Sequence, residues 1–182
     1  NTGHYLQGYP LDTSPKYIAD EIKSDPRLQV ARGVRIPITW KAFEPEKGQY
    51  NFALVDEYLE AIGPDKQMFF HWWATDIWNK NCDGATRIPT YMLPHCTKLY
   101  SSANTHANAS VKWWEPGPRA EMIRVLKAIG DHYDNNPQFE GIMFDETTFG
   151  NPPTSDISNA DFEEAKLESY KIIHTAIAPH FA

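Results

Sequence analysis

The chain has 182 residues, of which 41% are hydrophobic and 23% are charged, with a formal net charge of -7. This composition excludes a disordered chain and suits one hydrophobic core rather than two. The sequence contains no cluster of Lys and Arg that could bind a phosphate backbone, so a nucleic-acid partner is not expected. No apolar run reaches about 18 residues, so a membrane-spanning helix is not expected either.

Short apolar runs alternate with amphipathic segments in the first part of the chain. Ser14 and Pro15 supply an N-cap and a first-turn proline for a helix. The β-branched run that ends at Trp40 is typical of a strand, and apolar residues at three- and four-residue spacing follow it. Strands and helices alternate in this prediction at residues 4–9, 14–23, 33–40 and 52–62.

The second part repeats the alternation after a long interruption. Residues 74–117 show no sustained period and predict a long irregular loop, a kind of segment that usually carries function. Predicted strands and helices lie at residues 67–73, 118–133, 139–144 and 159–177. Four consecutive βα units predict an α/β fold with one parallel sheet, right-handed crossovers and a single domain over residues 1–182.

Two cysteines, Cys82 and Cys96, lie fourteen positions apart within the long loop. Their polar surroundings favour a disulfide and therefore a secreted or extracytoplasmic protein, with two unpaired thiols as the alternative. His95 adjoins Cys96, but no second cluster with zinc-ligand spacing accompanies it, so we expect no metal and no other cofactor.

Candidate site residues follow the ends of the predicted strands, because the carboxyl ends of parallel strands meet at one edge of the sheet. Aromatic faces can stack on the C–H faces of a sugar, while carboxylates and a histidine take hydrogen bonds from its hydroxyls. A carbohydrate is therefore the expected ligand. The candidates for binding it are Tyr9, Trp40, His71, Trp72, Trp73 and Asp76, and the doublet Asp145 and Glu146 supplies the candidate catalytic carboxyls.

Several of these residues have a structural alternative. Trp72 and Trp73 are neighbours on a strand and must point to opposite faces, so only one of them can be a stacking surface. His71 either binds a hydroxyl or carboxylate or is a core histidine. Trp40 either stacks on sugar or plugs the top of a barrel, and Glu44 is interpreted as a structural partner in its Glu-Pro turn.

The run at residues 40–52 resembles a stretch found after the second strand in many (β/α)8-barrel retaining glycoside hydrolases, including cellulase-like and β-galactosidase-like members. It contains a Trp, then Glu-Pro, then Gly-x-Tyr-x-Phe. In that superfamily the fourth strand ends in an Asn-Glu pair whose Glu is the general acid/base. The resemblance therefore implies this role for Glu146, with Asp145 standing where the family has Asn.

The resemblance covers the first half of such a barrel, since a complete one has about 250 residues. Glycoside hydrolysis needs two carboxylates, and the family's second one lies on the seventh strand, beyond these four units. The chain is thus a fragment of a longer hydrolase, a half-barrel that pairs with a second copy, or a remnant that binds sugar without cleaving it. An open four-stranded parallel sheet exposes two edges, which favours a homodimer joined through the first and fourth strands.

The predicted function is hydrolysis of a β-linked polysaccharide or oligosaccharide with Glu146 as proton donor. The alternative is a non-catalytic carbohydrate-binding half-barrel that uses its strand-end aromatic residues.

Overall fold

A computed structural model describes residues 4–7, 14–77, 79–100, 107–144 and 150–181. Three predicted site residues, Tyr9, Asp145 and Glu146, lie outside these ranges. The strands are β1 (Tyr5–Gln7), β2 (Gly33–Thr39), β3 (Gln67–Trp73), β4 (Thr75–Asp76), β5 (Cys96–Tyr100), β6 (Ala107–Val111) and β7 (Phe139–Phe144). The helices are α1 (Pro15–Ser24), α2 (Pro26–Gln29), α3 (Trp40–Phe43), α4 (Phe52–Ile62), α5 (Pro116–Tyr133) and α6 (Asn159–Ile177).

The predicted four-stranded parallel sheet is confirmed. Its strand order is β1-β2-β3-β7, and every neighbouring pair is parallel. Ile38 of β2 lies opposite Trp72 of β3, and Trp72 lies opposite Phe144 of β7. The order follows the chain because each strand is connected to its neighbour by a helix that crosses over the same face of the sheet.

Side chains on that face, here called the helix face, form the main core. Ile36 and Ile38 of β2 and Phe70 and Trp72 of β3 are at most 2% exposed. The helices contribute the other half of this cluster with Ile18, Val55, Leu59, Ile62, Met122, Val125, Leu126, Ile129 and Ile173. The apolar spacing that predicts the helices is therefore the spacing that buries one stripe of each helix on the sheet.

Side-chain caps begin the longer helices where the sequence places short polar residues. Ser14 Oγ accepts from the Tyr17 amide at the start of α1, and Asn51 Oδ1 accepts from the Leu54 amide at the start of α4. Ser158 caps α6 in the same way. Each cap satisfies a backbone N–H that has no partner inside its helix.

The segment predicted as a long irregular loop contains a second sheet, so that interpretation is corrected. Its strands are antiparallel in the order β4-β6-β5, and 3-10 turns form at Cys82–Gly84 and Thr90–His95. These strands have only 2 to 5 residues, too few for a period-two pattern to stand out. The predicted Cys82–Cys96 disulfide is confirmed and joins the first turn to the start of β5.

Gly33 opens β2 at a point where Tyr5 and the backbone of β3 approach closely. A Cβ atom at this position would lie 2.1 Å from the Gln67 carbonyl oxygen and 2.6 Å from Cε1 of Tyr5. Backbone cannot withdraw from such a contact without disturbing the register of the β2–β3 pair.

We expect the substitution Gly33→Ala to lower the free energy of unfolding by about 2–3 kcal/mol, because the methyl group overpacks the sheet. Gly117→Ala is the control, since no heavy atom lies within 4 Å of its added Cβ, and it should change the stability by less than about 1 kcal/mol. Urea unfolding followed by tryptophan fluorescence measures both. Equal losses in the two variants would contradict the proposed close approach.

Candidate functional site

The opposite side of the main sheet, here called the open face, carries the polar and charged candidate side chains of the strands. Residues that pair in register share a face, and successive residues alternate between faces. The face therefore carries Tyr5 of β1, Gly33, Arg35, Pro37 and Thr39 of β2, Phe69, His71 and Trp73 of β3, and Gly141 and Met143 of β7.

His71 and Trp73 form a buried polar pair on this face. The Trp73 Nε1 atom lies 3.0 Å from Nδ1 and 2.9 Å from Nε2 of His71, and its N–H donates to the imidazole. Burial, together with the positive charge of Arg35, lowers the pKa of His71 to about 4. The imidazole is thus neutral at neutral pH and acts as an acceptor for the indole.

Arg35 is the site residue that sequence reasoning did not select. Its Nε atom is buried and has no hydrogen-bond partner within the described ranges. Its charge acts on His71, on the neighbouring strand. The signal for it was present, because Arg35 is the one charged residue inside the otherwise apolar run of β2. A buried Nε–H without a partner, on a half-buried arginine, suits an anionic group or another acceptor.

The amino-terminal end of the open face is closed by a hydrogen-bonded group around Tyr5. The Tyr5 hydroxyl donates to Gln67 Oε1 at 3.0 Å, and Arg32 Nε donates to the same oxygen at 2.7 Å. Tyr5 also packs edge-on against Phe69, with ring centroids 4.8 Å apart. A ligand on this face would therefore enter from the carboxyl ends of the strands.

Trp40 and Trp72 do not offer stacking surfaces in this structure. Of the two interpretations of each residue, sugar stacking or packing, the structure shows packing. Trp40 is 0% exposed and Trp72 is 1% exposed, and their ring centroids lie 5.1 Å apart. A sugar needs an accessible ring face, and neither indole offers one. Trp73 shares the open face with His71 but is itself only 6% exposed.

Glu44 provides the hydrogen-bond acceptor for the buried indole N–H of Trp40. Its carboxylate is 0% exposed and accepts from Trp40 Nε1 at 2.9 Å and from the Gly48 amide at 2.7 Å. The Tyr91 hydroxyl also donates to it, and Arg124 of α5 pairs with it at 2.6 Å. Glu44 thus joins three separate parts of the chain, in agreement with its interpretation as a structural residue.

Asp76 is likewise a structural carboxylate, so its selection as a sugar-binding residue is corrected. It is 0% exposed and accepts from both the amide and the side chain of Asn79, from the amide and hydroxyl of Thr86, and from Arg87. Burial alone would raise the pKa of Asp76, but these donors together hold it below its usual value. The carboxylate organises the turn around residues 76–87 and has no free oxygen face for a ligand.

Within the described ranges, no group of three or more His, Cys, Asp or Glu side chains is placed to hold a metal ion. None of the helices there is both long and apolar enough to cross a membrane.

We expect Glu44→Gln to destabilise the chain by about 2 kcal/mol, because the neutral amide leaves Arg124 without its buried charge partner. The control is Glu46→Gln, two positions along and exposed, which should cost less than about 0.5 kcal/mol. Urea unfolding at neutral pH compares the two variants. An equal effect of both would show that the Glu44 network is not a structural centre.

The lowered pKa of His71 predicts a loss of stability in acid. The unfolded imidazole binds a proton near pH 6.5, whereas the folded one resists protonation until about pH 4. This contribution is complete above pH 6.5 and decreases by up to about 3 kcal/mol as the pH falls to about 4.

His71→Gln keeps an acceptor for Trp73 but cannot titrate, so its stability should fall less between pH 7.5 and pH 4.5 than that of the wild type. Urea unfolding at both pH values provides the comparison. His174→Gln, at an exposed position of α6, is the control and should keep the wild-type pH dependence. If His71→Gln also keeps it, His71 is not the acid-sensitive group.

No family model matches the chain, and no curated protein matches it. Solved structures do. The exo-β-1,4-mannosidase Op5Man5 from Opitutaceae bacterium strain TAV5 superimposes with a TM-score of 0.56 at 18% identity, over 96% of this chain and 30% of the mannosidase chain. The β-galactosidase from Halorubrum lacusprofundi superimposes with a TM-score of 0.52 at 18% identity, over 78% of this chain and 20% of that one.

A third structure, the β-galactosidase from the psychrophilic Marinomonas ef1, gives a TM-score of 0.52 at 13% identity, over 78% of this chain and 21% of its own. The chain therefore spans 20–30% of the length of these three proteins. Such distant likeness concerns the fold, and the fold of these glycoside hydrolases is the TIM barrel. The chain is thus an α/β protein whose fold is that of part of a (β/α)8 barrel.

Proposed function

We propose that this chain is part of a glycoside hydrolase that acts on a β-linked oligosaccharide or polysaccharide, with Glu146 as the general acid/base. The observation that carries the proposal is the end of β7. This strand runs to Phe144, which pairs in register with Trp72, the last residue but one of β3, and the Asp145-Glu146 doublet is next in the sequence. The carboxyl edge of a barrel sheet is where catalytic residues lie in enzymes of this architecture.

The chemistry fits a carboxyl doublet. A general acid for the glycosidic oxygen must hold its proton near neutral pH, and a neighbouring ionised carboxylate raises the pKa of its partner. Glu146 would donate its proton to the leaving oxygen as the C–O bond to the sugar breaks. Asp145, once ionised, would accept a hydrogen bond from a sugar hydroxyl.

Hydrolysis with either stereochemical outcome requires a second carboxylate. Neither Asp76 nor Glu44 is suited to this role, because the oxygens of both already accept hydrogen bonds from neighbouring groups. Arg35 supports a source outside the described strands. Its buried Nε lacks a partner within them, and an anionic side chain from the remaining strands of a barrel would satisfy it. We therefore propose that a second copy of the chain, or further chain of the same protein, completes the open face.

Two related features complete the proposal. The mannosidase and the galactosidases that share the fold are named for β-linked sugars, which suggests this substrate class. The Cys82–Cys96 disulfide supports a location outside the cytosol, where such bonds persist. The alternative is a non-catalytic carbohydrate-binding half-barrel, for which Trp40 and Trp72 offer no accessible ring face because both are buried.

The test is release of reducing sugar from a panel of glucans, mannans, xylans and galactosides. Glu146→Gln should lower hydrolysis at least about 100-fold, since it removes the general acid, while retaining substrate binding. Glu168→Gln, an exposed carboxyl on α6, should leave the rate unchanged. Unchanged hydrolysis in Glu146→Gln would exclude the proposed role.

Light scattering on the same preparation determines whether activity accompanies a dimer. If the wild type binds a sugar but releases none in any assembly state, the proposed hydrolysis is wrong and the chain is a binding protein.

A further inference from the structure

The Cys82–Cys96 disulfide closes a loop over the segment 82–96, here called the strap. The strap contains two short 3-10 turns, and β5 begins at its last residue. Turns of this length form few hydrogen bonds of their own. The contacts of the strap with the rest of the chain, together with the disulfide, therefore decide whether it stays in place.

The first part of the strap supplies donors to the buried carboxylate of Asp76. The Thr86 amide donates to Asp76 at 2.7 Å and the Arg87 amide at 3.3 Å. The Arg87 side chain adds an ion pair at 3.0 Å. Asn79, which precedes the strap, provides further donors. Most of what stabilises this charge therefore comes from the strap.

The strap also contacts the chain that directly follows β2. The Lys41 amide donates to the Arg87 carbonyl oxygen at 3.0 Å. The Tyr91 hydroxyl accepts from Trp40 Nε1 at 3.2 Å and donates to Glu44. The strap thus binds the segments that follow the carboxyl ends of both β2 and β3, and it supplies donors to the two buried carboxylates found there.

Two apolar side chains anchor the closed strap. Ile88 and Met92 are fully buried and belong to the main core cluster. The closed arrangement is therefore the stable one, and the disulfide acts on the alternative. A crosslink reduces the chain entropy of any state in which the loop that it closes has come loose. Cys82 and Cys96 are both half-buried, so neither is enclosed within the core.

We propose that this disulfide is a redox-sensitive latch. In the oxidised chain the strap stays closed over the carboxyl ends of β2 and β3, and reduction lets it open while the main sheet remains folded. The reductant is a dithiol. One of its sulfurs attacks the disulfide, the S–S bond breaks, both cysteines end as protonated thiols, and the dithiol becomes a disulfide.

The latch couples the assembly of this rim to the surroundings of the protein. The strap is secured only after oxidation, which takes place outside the cytosol. This coupling does not depend on the proposed hydrolysis, because it follows from the contacts of the strap alone.

Amide hydrogen exchange, measured by nuclear magnetic resonance with and without dithiothreitol, tests the latch. The Thr86 and Arg87 amides report on the strap because both donate to Asp76. Their exchange should become at least about tenfold faster on reduction, since a crosslink around a loop of about 15 residues changes such an equilibrium by roughly 100-fold. The amides of Ile36 in β2 and Phe70 in β3 should change less than about twofold.

The double variant Cys82→Ser/Cys96→Ser is the control. It should exchange like the reduced wild type and should not respond to dithiothreitol, which separates the latch from other effects of the reductant. If this variant does not fold, the comparison of oxidised and reduced wild type decides alone.

Three results would overturn the proposal. The first is a disulfide that dithiothreitol does not reduce in the folded chain, as shown by alkylation and mass spectrometry. The second is unchanged exchange at Thr86 and Arg87 after complete reduction. The third is equal acceleration at Ile36 and Phe70, which would mean that the whole chain, and not the strap, opens.

Discussion

A parallel sheet must be covered on both faces, and this constraint organises the chain. On the helix face, Ile38, Phe70 and Trp72 are buried by α1, α4, α5 and α6, which provides the hydrophobic stabilisation of the fold. The open face is of another kind. It holds a guanidinium, an imidazole and an indole N–H beside small and aromatic residues. A face with this mixture is suited to polar ligands and to a further layer of strands.

Buried carboxylates hold the loops above the sheet in place. Glu44 links the loop after β2 to Tyr91 and to Arg124, and Asp76 gathers the amides and side chains of the turn after β4. Both acids follow strand ends, where a catalytic carboxyl is expected, yet their oxygens are already saturated by donors. Position at a strand end therefore does not distinguish a reactive acid from a structural one; the number of donors around its oxygens does.

The elements of the main sheet could be predicted from the sequence, because their periodicity is local. The alternating strands and the apolar stripes of α4, α5 and α6 extend over enough residues to be visible. The environment of Trp40 could not be predicted, since Tyr91 lies 51 positions away and Arg124, which pairs with Glu44, lies 80 positions from that carboxylate. Arg35 was visible as a lone charge in an apolar strand, but only the paired strand shows that it acts on His71.

The small antiparallel sheet has a consequence for how the chain tolerates change. Thr75 pairs with Ser110, and the Val111 amide donates to the Ala74 carbonyl oxygen at 3.4 Å. The two ends of the segment that connects β3 to α5 therefore lie side by side. The cost of closing such a loop grows only slowly with its length. This segment could therefore be lengthened, shortened or exchanged in evolution while β3 and α5 keep their places, which would allow the rim of the sheet to diversify independently of the core.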